Sequence, residues 1–585
     1  MRKLSFLLMA LCSQILIWGQ SYTELEDTKE KEPINHWEER LENNFYWKWG
    51  NTDTRYKKYH IPDIDLQSQD RTDILQLKAW RGERVNAQAV LFTKADLENI
   101  TFSIDDLSSK KSKIKKENIK IMPVSYVMTD ELNKGGNSGC GKRTASLFDS
   151  SIVADVLNLE TENWNLPAYS TRPVWINIKI PASTKPGIYS GKFYATVNKK
   201  LVPLDIELKV LKNILPEPKD WSFHLDLWQN PYAFARYHNV EPWSKEHFQI
   251  MEPSMKMLAN AGQKVITTTI TDRAWNGQTQ DPFDNMIRRT LKKDGTWDFD
   301  YTIFDNWVEF MMKKIGINAQ INCYTMIPWA MRFAYFDESK NQIEYLSTNS
   351  NDPKYKEFWA PFIEDFAKHL KKKGWFEITT IAMDERRLND LKNVIKIVKE
   401  VEPEFKITLA GVKYENSLEE DLYDYCLNYG QSFPEEVLEK RKKLNLPTSF
   451  YTACSHPFPN TFTFSAPAEA SWYGWYAMAA GFNGYLRWAY NSWTINPLQD
   501  SRFREWAAGD TYLIYPDARS SIRFERLIEG VQDYEKIRIL KEKYAKNPEK
   551  LEEINKILEN FHYQKISPKD PHLILKEARK VLNSL

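Results

Sequence analysis

Residues 376–387 read FEITTIAMDERR. Seven mostly β-prone residues run into two adjacent carboxylates, Asp384 and Glu385, and then into two arginines. The stretch before it, DPKYKEFWAPFIEDFAKHLKKKG (residues 352–374), reads as a helix, and so does LNDLKNVIKIVKEVEP (388–403) after it. KITLAGV (406–412) then returns to a strand-like run. Helix, strand, helix, strand is the alternation that calls for parallel strands with right-handed crossovers.

The rhythm extends outward from this point. WSFHLDLWQNP (221–231) precedes the helical WSKEHFQIMEPSMKMLANAG (243–262). KVITTTITDRAWN (264–276) precedes YTIFDNWVEFMMKKIG (301–316), and INAQINCYTMIPWA (317–330) leads to the helix at 352. DLYDYCLNYGQSFP (421–434), TSFYTACSHPFPN (448–460) and NGYLRWAYNSW (483–493) complete the set. About eight strand–helix units fit a TIM-type (β/α)8 barrel better than an open sheet. A doubly wound sheet is the alternative, weakened because no G-x-G-x-x-G follows the first strand. By this count FEITTIAMDE is the fourth barrel strand.

Upstream the texture differs. DILQLKAWRGERVNAQAVLFTK (73–94), IKIMPVSYVMTD (119–130), RPVWINIKIPAS (172–183), GIYSGKFYATVN (187–198) and LVPLDIELKVLK (201–212) alternate apolar with polar residues between turn signals. That is a β-sandwich pattern. The fold class expected is therefore multidomain β and α/β: an N-terminal β-sandwich, a (β/α)8 TIM-type barrel and C-terminal helices. The divisions are a signal peptide at 1–19, an N-terminal segment at 20–69, the β-sandwich at 70–215, the catalytic barrel at 216–530 and a helical tail at 531–585. A chain of 585 residues is too long for one ordinary core, which agrees with this division.

MRKLSFLLMALCSQILIWGQS at the N-terminus carries Arg2 and Lys3, an apolar stretch and Gly19 as a small-residue cleavage point, the pattern of an export signal. The residues expected to be removed hold those two cations and no acid, so formal charge goes from +1 to −1. Neither value argues for nucleic acid or anionic membrane. No later segment approaches eighteen consecutive apolar residues, so no membrane span is expected. Beyond Cys12, the four cysteines Cys140, Cys323, Cys426 and Cys454 fit no metal-ligand spacing, and no disulfide is expected to be essential. The aromatic content is high, with 21 Trp, 29 Tyr and 29 Phe. Aromatic faces stack on the C–H faces of sugars, though they also fill cores.

Several chemistries fail on their residues. GNSGCGKRT (136–144) imitates a phosphate-binding loop, but Arg143 stands where a magnesium-binding Ser or Thr is needed, and the loop lies in the β-rich region. The nine His include no H-E-x-x-H and no pair at ligand spacing, and no G-x-S-x-G occurs. No cofactor and no metal are expected. His456, after a strand candidate, is retained for ligand contact, with a structural loop histidine as the alternative.

Carboxylates remain. Asp-Glu occurs at 130–131, 337–338 and 384–385. The first falls in a β-domain loop and the second in the hairpin turn FDESKNQ; only the third ends a strand in the barrel region, where barrel enzymes place catalysis. A helix N-cap is the alternative for it. Adjacent residues on one strand point to opposite faces and serve poorly as a nucleophile and acid flanking one carbon. They suit a 2-acetamido sugar whose own acetamido oxygen attacks the anomeric carbon. One carboxylate then holds the acetamido N–H and its neighbour protonates the leaving oxygen. Mutual repulsion would raise the acid's pKa.

NGYLRWAYNSW, DSRFREWAAGDTYLIYP (500–516) and SSIRFERLIEGVQDYEKIRIL (520–540) resemble the C-terminal part of glycoside hydrolase family 123, a β-N-acetylgalactosaminidase-like family with uncharacterised relatives. AWRGERVNAQAVL (79–91) and RPVWINIKIPASTKPGIYSGKF (172–193) resemble its β-sandwich. The resemblance implies an exo-acting enzyme that retains configuration by substrate assistance. It assigns Asp384 to orienting the acetamido group and Glu385 to general acid/base work. Substrate contacts are expected from Trp488, Tyr490 and Asn491 at the last strand's end. Position alone adds Asn230, Tyr324 and Tyr451, after strands one, three and seven. The function expected is an exported retaining glycoside hydrolase removing β-linked N-acetylgalactosamine or another 2-acetamido sugar, with a glycan or glycoconjugate as partner. A glycosidase for another sugar on the same barrel, or a non-catalytic carbohydrate-binding protein, are the alternatives.

Overall fold

The computed structural model of the chain describes residues 23–26, 31–64, 66, 74–141, 143–563, 565 and 571–585. The expected signal at 1–19, with Cys12, lies outside them. No described helix is long and apolar enough to cross a membrane.

Two mainly antiparallel sheets form the N-terminal region. One orders the strands 45–49, 84–93, 170–179, 119–130, 150–157 and 520–521; the other orders 75–81, 200–214, 187–197, 97–104 and 164–166. Their alternating apolar residues meet in one core that includes Trp47, Leu91, Phe102, Ile176, Tyr189, Phe193 and Leu208. Strand Phe45–Trp49 pairs with Arg84–Thr93, so this stretch of the N-terminal segment is built into the β domain. Ser520 and Ser521, from beyond the barrel, pair with Leu157 and Val156 and tie the two parts together.

Eight parallel strands follow: β1 (His224–Leu227), β2 (Val265–Thr269), β3 (Gln320–Tyr324), β4 (Thr379–Met383), β5 (Lys406–Gly411), β6 (Asp424–Asn428), β7 (Thr448–Tyr451) and β8 (Gly484–Arg487). They form one sheet in which β1 pairs with β8 and β2 with β3, giving a nearly closed barrel. At the seam between β1 and β2 the backbone contributes a single bridge, Leu225 to Gln263. Side-chain amides complete it. Gln263 Oε1 accepts from Leu227 N at 3.0 Å, and Gln229 Oε1 accepts from Thr267 N at 2.9 Å. All five residues of β4 are buried. The barrel interior is polar, with Asn322 Oδ1 accepting from Thr380 Oγ1 at 2.8 Å and from Gln320 Nε2 at 2.8 Å.

The helices between strands include α1 (Pro231–His238), α2 (Lys245–Ala259), α3 (Thr302–Glu309), α4 (Pro353–Lys373), α5 (Leu388–Val401), α6 (Glu435–Lys443) and α7 (Pro467–Ala480). FEI at 376–378 forms a 3-10 turn rather than strand, so β4 is shorter than its β-prone run. A four-stranded sheet (288–291, 297–300, 332–337, 342–347) stands outside the barrel. Its last hairpin turns at the second Asp-Glu pair, where Asp337 Oδ1 accepts from Ser339 N.

Helix α8 (Ile522–Lys543) runs without a break through residue 530 and packs against α7. The approach depends on glycine: a Cβ on Gly474 would lie 1.8 Å from Gly530 O, and one on Gly530 would lie 2.6 Å from Ser471 O. Backbone against backbone leaves no flexible side chain to yield. Gly474→Ala is expected to destabilise the α7–α8 packing by about 2 kcal/mol or more. The measurement is a thermal melt with hydrogen exchange, which should show faster exchange concentrated in 467–480 and 522–543.

Candidate active site

The carboxyl ends of the barrel strands surround a cavity of about 200 Å³, lined by Trp228, Trp275, Trp329, Asp384, Glu385, Tyr451 and Trp488, with Leu486, Trp506 and Cys140 among its other walls. It is smaller than the roughly 300–1,000 Å³ of drug-sized sites. Four of its tryptophans enter from loops that follow strand ends: Trp228 follows β1, Trp275 follows β2, Trp329 follows β3 and Trp488 follows β8. Trp228 and Trp275 stack with ring centres 4.6 Å apart, and Tyr324 lies against both, at 4.5 and 5.1 Å. This aromatic cluster, with Phe283 and Ala382, forms an apolar floor.

Asp384 is the first residue past β4 and is buried at 7% exposure. Its Oδ2 accepts from Trp275 Nε1 at 2.8 Å and from Trp329 Nε1 at 3.4 Å. Its Oδ1 is buried with no hydrogen-bond partner among the described residues. Burial raises the Asp384 pKa to about 6; Arg386 opposes the rise and Glu385 adds to it. Glu385, the next residue, is exposed, and its Oε1 accepts from the Tyr451 hydroxyl. The pair is not a helix cap: α5 has Arg387 at its N-cap. Arg386 Nη2 donates to Pro328 O at 2.6 Å, bracing the loop that carries Trp329.

Of the residues expected from sequence, Asp384, Glu385, Tyr451 and Trp488 line this one cavity. The others do not. Tyr490 turns outward, its hydroxyl donating to Ser254 O on α2 at 2.8 Å and its ring against Phe524, because the chain bends back toward β1 after Trp488. Asn491 clamps the backbone of Asn230 through both amide atoms, at 3.0 and 2.7 Å. Asn230 caps α1 and donates to Asp281 O and Ser492 Oγ. Both asparagines are fully buried with their side-chain atoms already paired, so they are corrected from ligand contacts to framework residues. Tyr324 is buried inside the aromatic cluster of the floor and does not line the cavity. His456 stands behind Tyr451 and bonds Asn428. Sequence reading missed Trp228, Trp275 and Trp329, although the strand-end rule that selected Asp384 applies to each of them.

Two of the cysteines are paired, which leaves the expectation that no disulfide is essential untested. Cys140 of the β domain and Cys454, just past β7, form a disulfide across 314 residues of sequence. Both line the cavity, so the loop that imitates a phosphate-binding motif is a wall of the site. Gly141 N donates to Glu505 O at 2.8 Å, and Arg143 pairs with Asp130 at 2.6 Å. Asp130 Oδ1 in turn accepts from Ala508 N at 3.0 Å, so the first Asp-Glu pair fastens this loop to the barrel.

Two consequences are measurable. Reduction of the disulfide, or Cys140→Ser with Cys454→Ser, is expected to increase hydrogen exchange in 133–149 and 453–460 with the barrel strands unchanged. The second concerns Asp384. Its raised folded pKa means that the folded state favours the protonated carboxyl. The resulting penalty is absent below pH 3.8 and complete above about pH 6. Asp384→Asn removes the charge and is expected to stabilise the protein by about 1–3 kcal/mol at pH 7–8. The gain should vanish near pH 3.5, and denaturant unfolding at the two pH values checks it.

Comparison with known proteins places this geometry. Residues 228–540 match the family model "Glycoside hydrolase 123, catalytic domain", and residues 49–197 match "Glycoside hydrolase 123 N-terminal domain". Among solved structures, the chain is similar to a family 123 glycoside hydrolase from Clostridium perfringens, described in a structural analysis of glycolipid glycan hydrolysis. The two are 27% identical over 93% of this chain and 97% of that one, with a TM-score of 0.82. A GH10 xylanase with a bacterial Ig-like domain, from termite gut, reaches a TM-score of only 0.31 at 10% identity over 79% and 99% of the two chains. A calcium-binding mutant of β-glucuronidase 2 from Bacteroides uniformis reaches 0.27 at 10% over 75% and 47%. No curated protein matches the chain.

Proposed function

The chain belongs to glycoside hydrolase family 123, and from that premise we propose that it is an exported retaining hydrolase that removes terminal β-linked 2-acetamido sugars, N-acetylgalactosamine first among them. The observation that carries the reading is the division of labour between two consecutive carboxylates in one aromatic cavity. Asp384 keeps a buried oxygen without a donor, and Glu385 stands exposed beside it.

In this reading the sugar ring lies in the tryptophan-walled cavity and its acetamido N–H donates to Asp384 Oδ1, the orphaned acceptor. That contact turns the acetamido carbonyl oxygen toward the anomeric carbon. The oxygen bonds to C1 as the C1–O bond to the aglycone breaks, and Glu385 gives its proton to the departing oxygen. The oxazolinium ion formed is held by the ionised Asp384. Glu385, now a carboxylate, takes a proton from water as that water adds to C1 from the side the aglycone left. The acetamido oxygen is released and the β configuration is retained. The wall at Cys140 and Cys454 suits a site that accepts a chain end.

Export is supported by the leader pattern in residues 1–19 and by a disulfide of the kind that persists in oxidising compartments. We also read the nearly closed barrel as TIM-type, with two glutamine amides completing the ladder at its seam. The Clostridium perfringens relative was analysed on glycolipid glycans, so glycolipid glycans join aryl glycosides as substrates to test.

The test uses aryl β-GalNAc and β-GlcNAc glycosides with wild type, Asp384→Asn and Glu385→Gln. Wild type should hydrolyse at least one with retention, and each variant should lose about 10²–10⁴-fold in kcat/KM. The ionised Asp384 is the active form, so kcat/KM should rise with pH through about 6. Equal hydrolysis of the matching sugar lacking the 2-acetamido group would sink substrate assistance.

A further inference from the structure

Behind Glu385 runs a line of side chains whose hydrogen bonds all point one way. It begins at the backbone, where Ala453 N–H donates to His456 Nδ1 at 3.1 Å. A nitrogen that accepts cannot carry the ring proton, so the tautomer is fixed and the proton sits on Nε2. His456 Nε2–H donates to Asn428 Oδ1. Asn428 Nδ2–H then donates to Tyr451 Oη at 3.2 Å, which leaves the Tyr451 hydroxyl proton for Glu385 Oε1.

Barrel register assembles the line. Asn428 is the last residue of β6, Tyr451 the last of β7, and the two are paired partners in the ladder. Burial preserves its polarity. It pushes the His456 pKa down to about 4, with nearby Arg487 acting the same way, so the imidazole stays neutral. It also holds the Tyr451 hydroxyl far above the usual phenol range, with the Glu385 charge adding to the effect, so Tyr451 remains a donor.

We propose that Tyr451, Asn428 and His456 are positioning residues for the general acid. They keep Glu385 Oε1 permanently accepting and leave Oε2 to carry the proton. When Oε2–H passes its proton to the departing oxygen, negative charge develops on a carboxylate that already receives the Tyr451 hydrogen bond. The bond strengthens as the transition state is reached, which is the condition for accelerating the step rather than merely binding. In the second half of the cycle the same carboxylate takes water's proton back at Oε2. The inference rests on the reading of Glu385 as acid/base given above, and it assigns Tyr451 to the acid rather than to the sugar.

The test compares 2-acetamido glycosides bearing an alkyl aglycone, whose oxygen must be protonated to leave, with the dinitrophenyl glycoside, whose leaving group needs no proton. Tyr451→Phe should lose about 10–100-fold in kcat on the alkyl substrate and under about 3-fold on the dinitrophenyl one, with KM little changed. His456→Ala should show the same leaving-group pattern at smaller size. His456→Gln should restore most of it, because an amide supplies one acceptor and one donor in place of Nδ1 and Nε2–H. Unchanged melting temperatures would be expected throughout. Losses equal across leaving groups, or no loss in Tyr451→Phe, overturn the relay alone, whereas a wild type inert toward every 2-acetamido glycoside overturns the proposed function with it. Nitrogen-15 NMR of His456 reads the tautomer directly; a protonated Nδ1 would overturn the proposal regardless of turnover.

Discussion

The site depends on one costly contact, the Asp384 carboxylate held inside a tryptophan box by the indole N–H groups of Trp275 and Trp329. Burying a carboxylate is unfavourable unless its lone pairs are met. Here Oδ2 is met and Oδ1 is not. The fold therefore keeps a destabilised charge, and in the function proposed above its missing partner is the substrate's N–H. This explains why the indoles stand where they do. They satisfy one oxygen, leave the other buried without a partner, and line the cavity with their rings. Trp275 is itself fixed by stacking on Trp228, so the ends of β1, β2, β3 and β4 must all be in register for Asp384 to be held.

That register is not supplied by the barrel alone. The β domain reaches the cavity through Cys140, and the contacts behind it are polar and buried. Asp155, on strand Ser150–Leu157, accepts from Arg523 Nε at 2.9 Å, Tyr515 Oη at 2.7 Å and Arg55 Nη1 at 3.1 Å. Arg523 also donates to the carbonyls of Thr461, Gly509 and Tyr512, in the segments beyond β7 and β8 that back the cavity. A buried ion pair of this kind contributes little net stability against an apolar replacement, but losing one partner strands the other. Its consequence here is geometric: the β domain and the loops behind the cavity are held in one arrangement. The two family-model matches cover both parts.

Much of this was legible in the chain. Helix–strand alternation around residues 376–387 gave the strand count, and the strand count selected Asp384–Glu385 over two other Asp-Glu pairs. Local pattern carried those inferences because parallel strands and their crossover helices have different periods. What escaped was non-local. The pairing of Cys140 with Cys454 spans 314 residues and leaves no mark in either neighbourhood. Tyr490 and Trp488 look equivalent in LRWAYNSW, yet a chain bend sends one outward to Ser254 and leaves the other in the cavity. Asn230 and Asn491 were chosen as polar residues near strand ends, but the Asn491 amide is spent on the Asn230 backbone and the Asn230 amide on Asp281 and Ser492, contacts that only coordinates reveal.

Adjacency of the two carboxylates is where sequence and structure inform each other most closely. Within β4 consecutive side chains would face opposite sides of the sheet, but the strand ends at Met383, one residue before the pair. Freed from the pleat, Asp384 and Glu385 both line one cavity while differing sharply in exposure. The chemistry proposed for the site uses that difference. The buried member is suited to holding a fixed N–H in a dry pocket, where an ionic hydrogen bond is strongest. The exposed member is suited to exchanging protons with a departing oxygen and then with water, neither of which can reach a sealed interior. Swapping the two residues would put the longer, mobile side chain in the box and the shorter one at the mouth, out of reach of Tyr451. The order Asp-then-Glu thus matches a buried position followed by an exposed one at the end of β4.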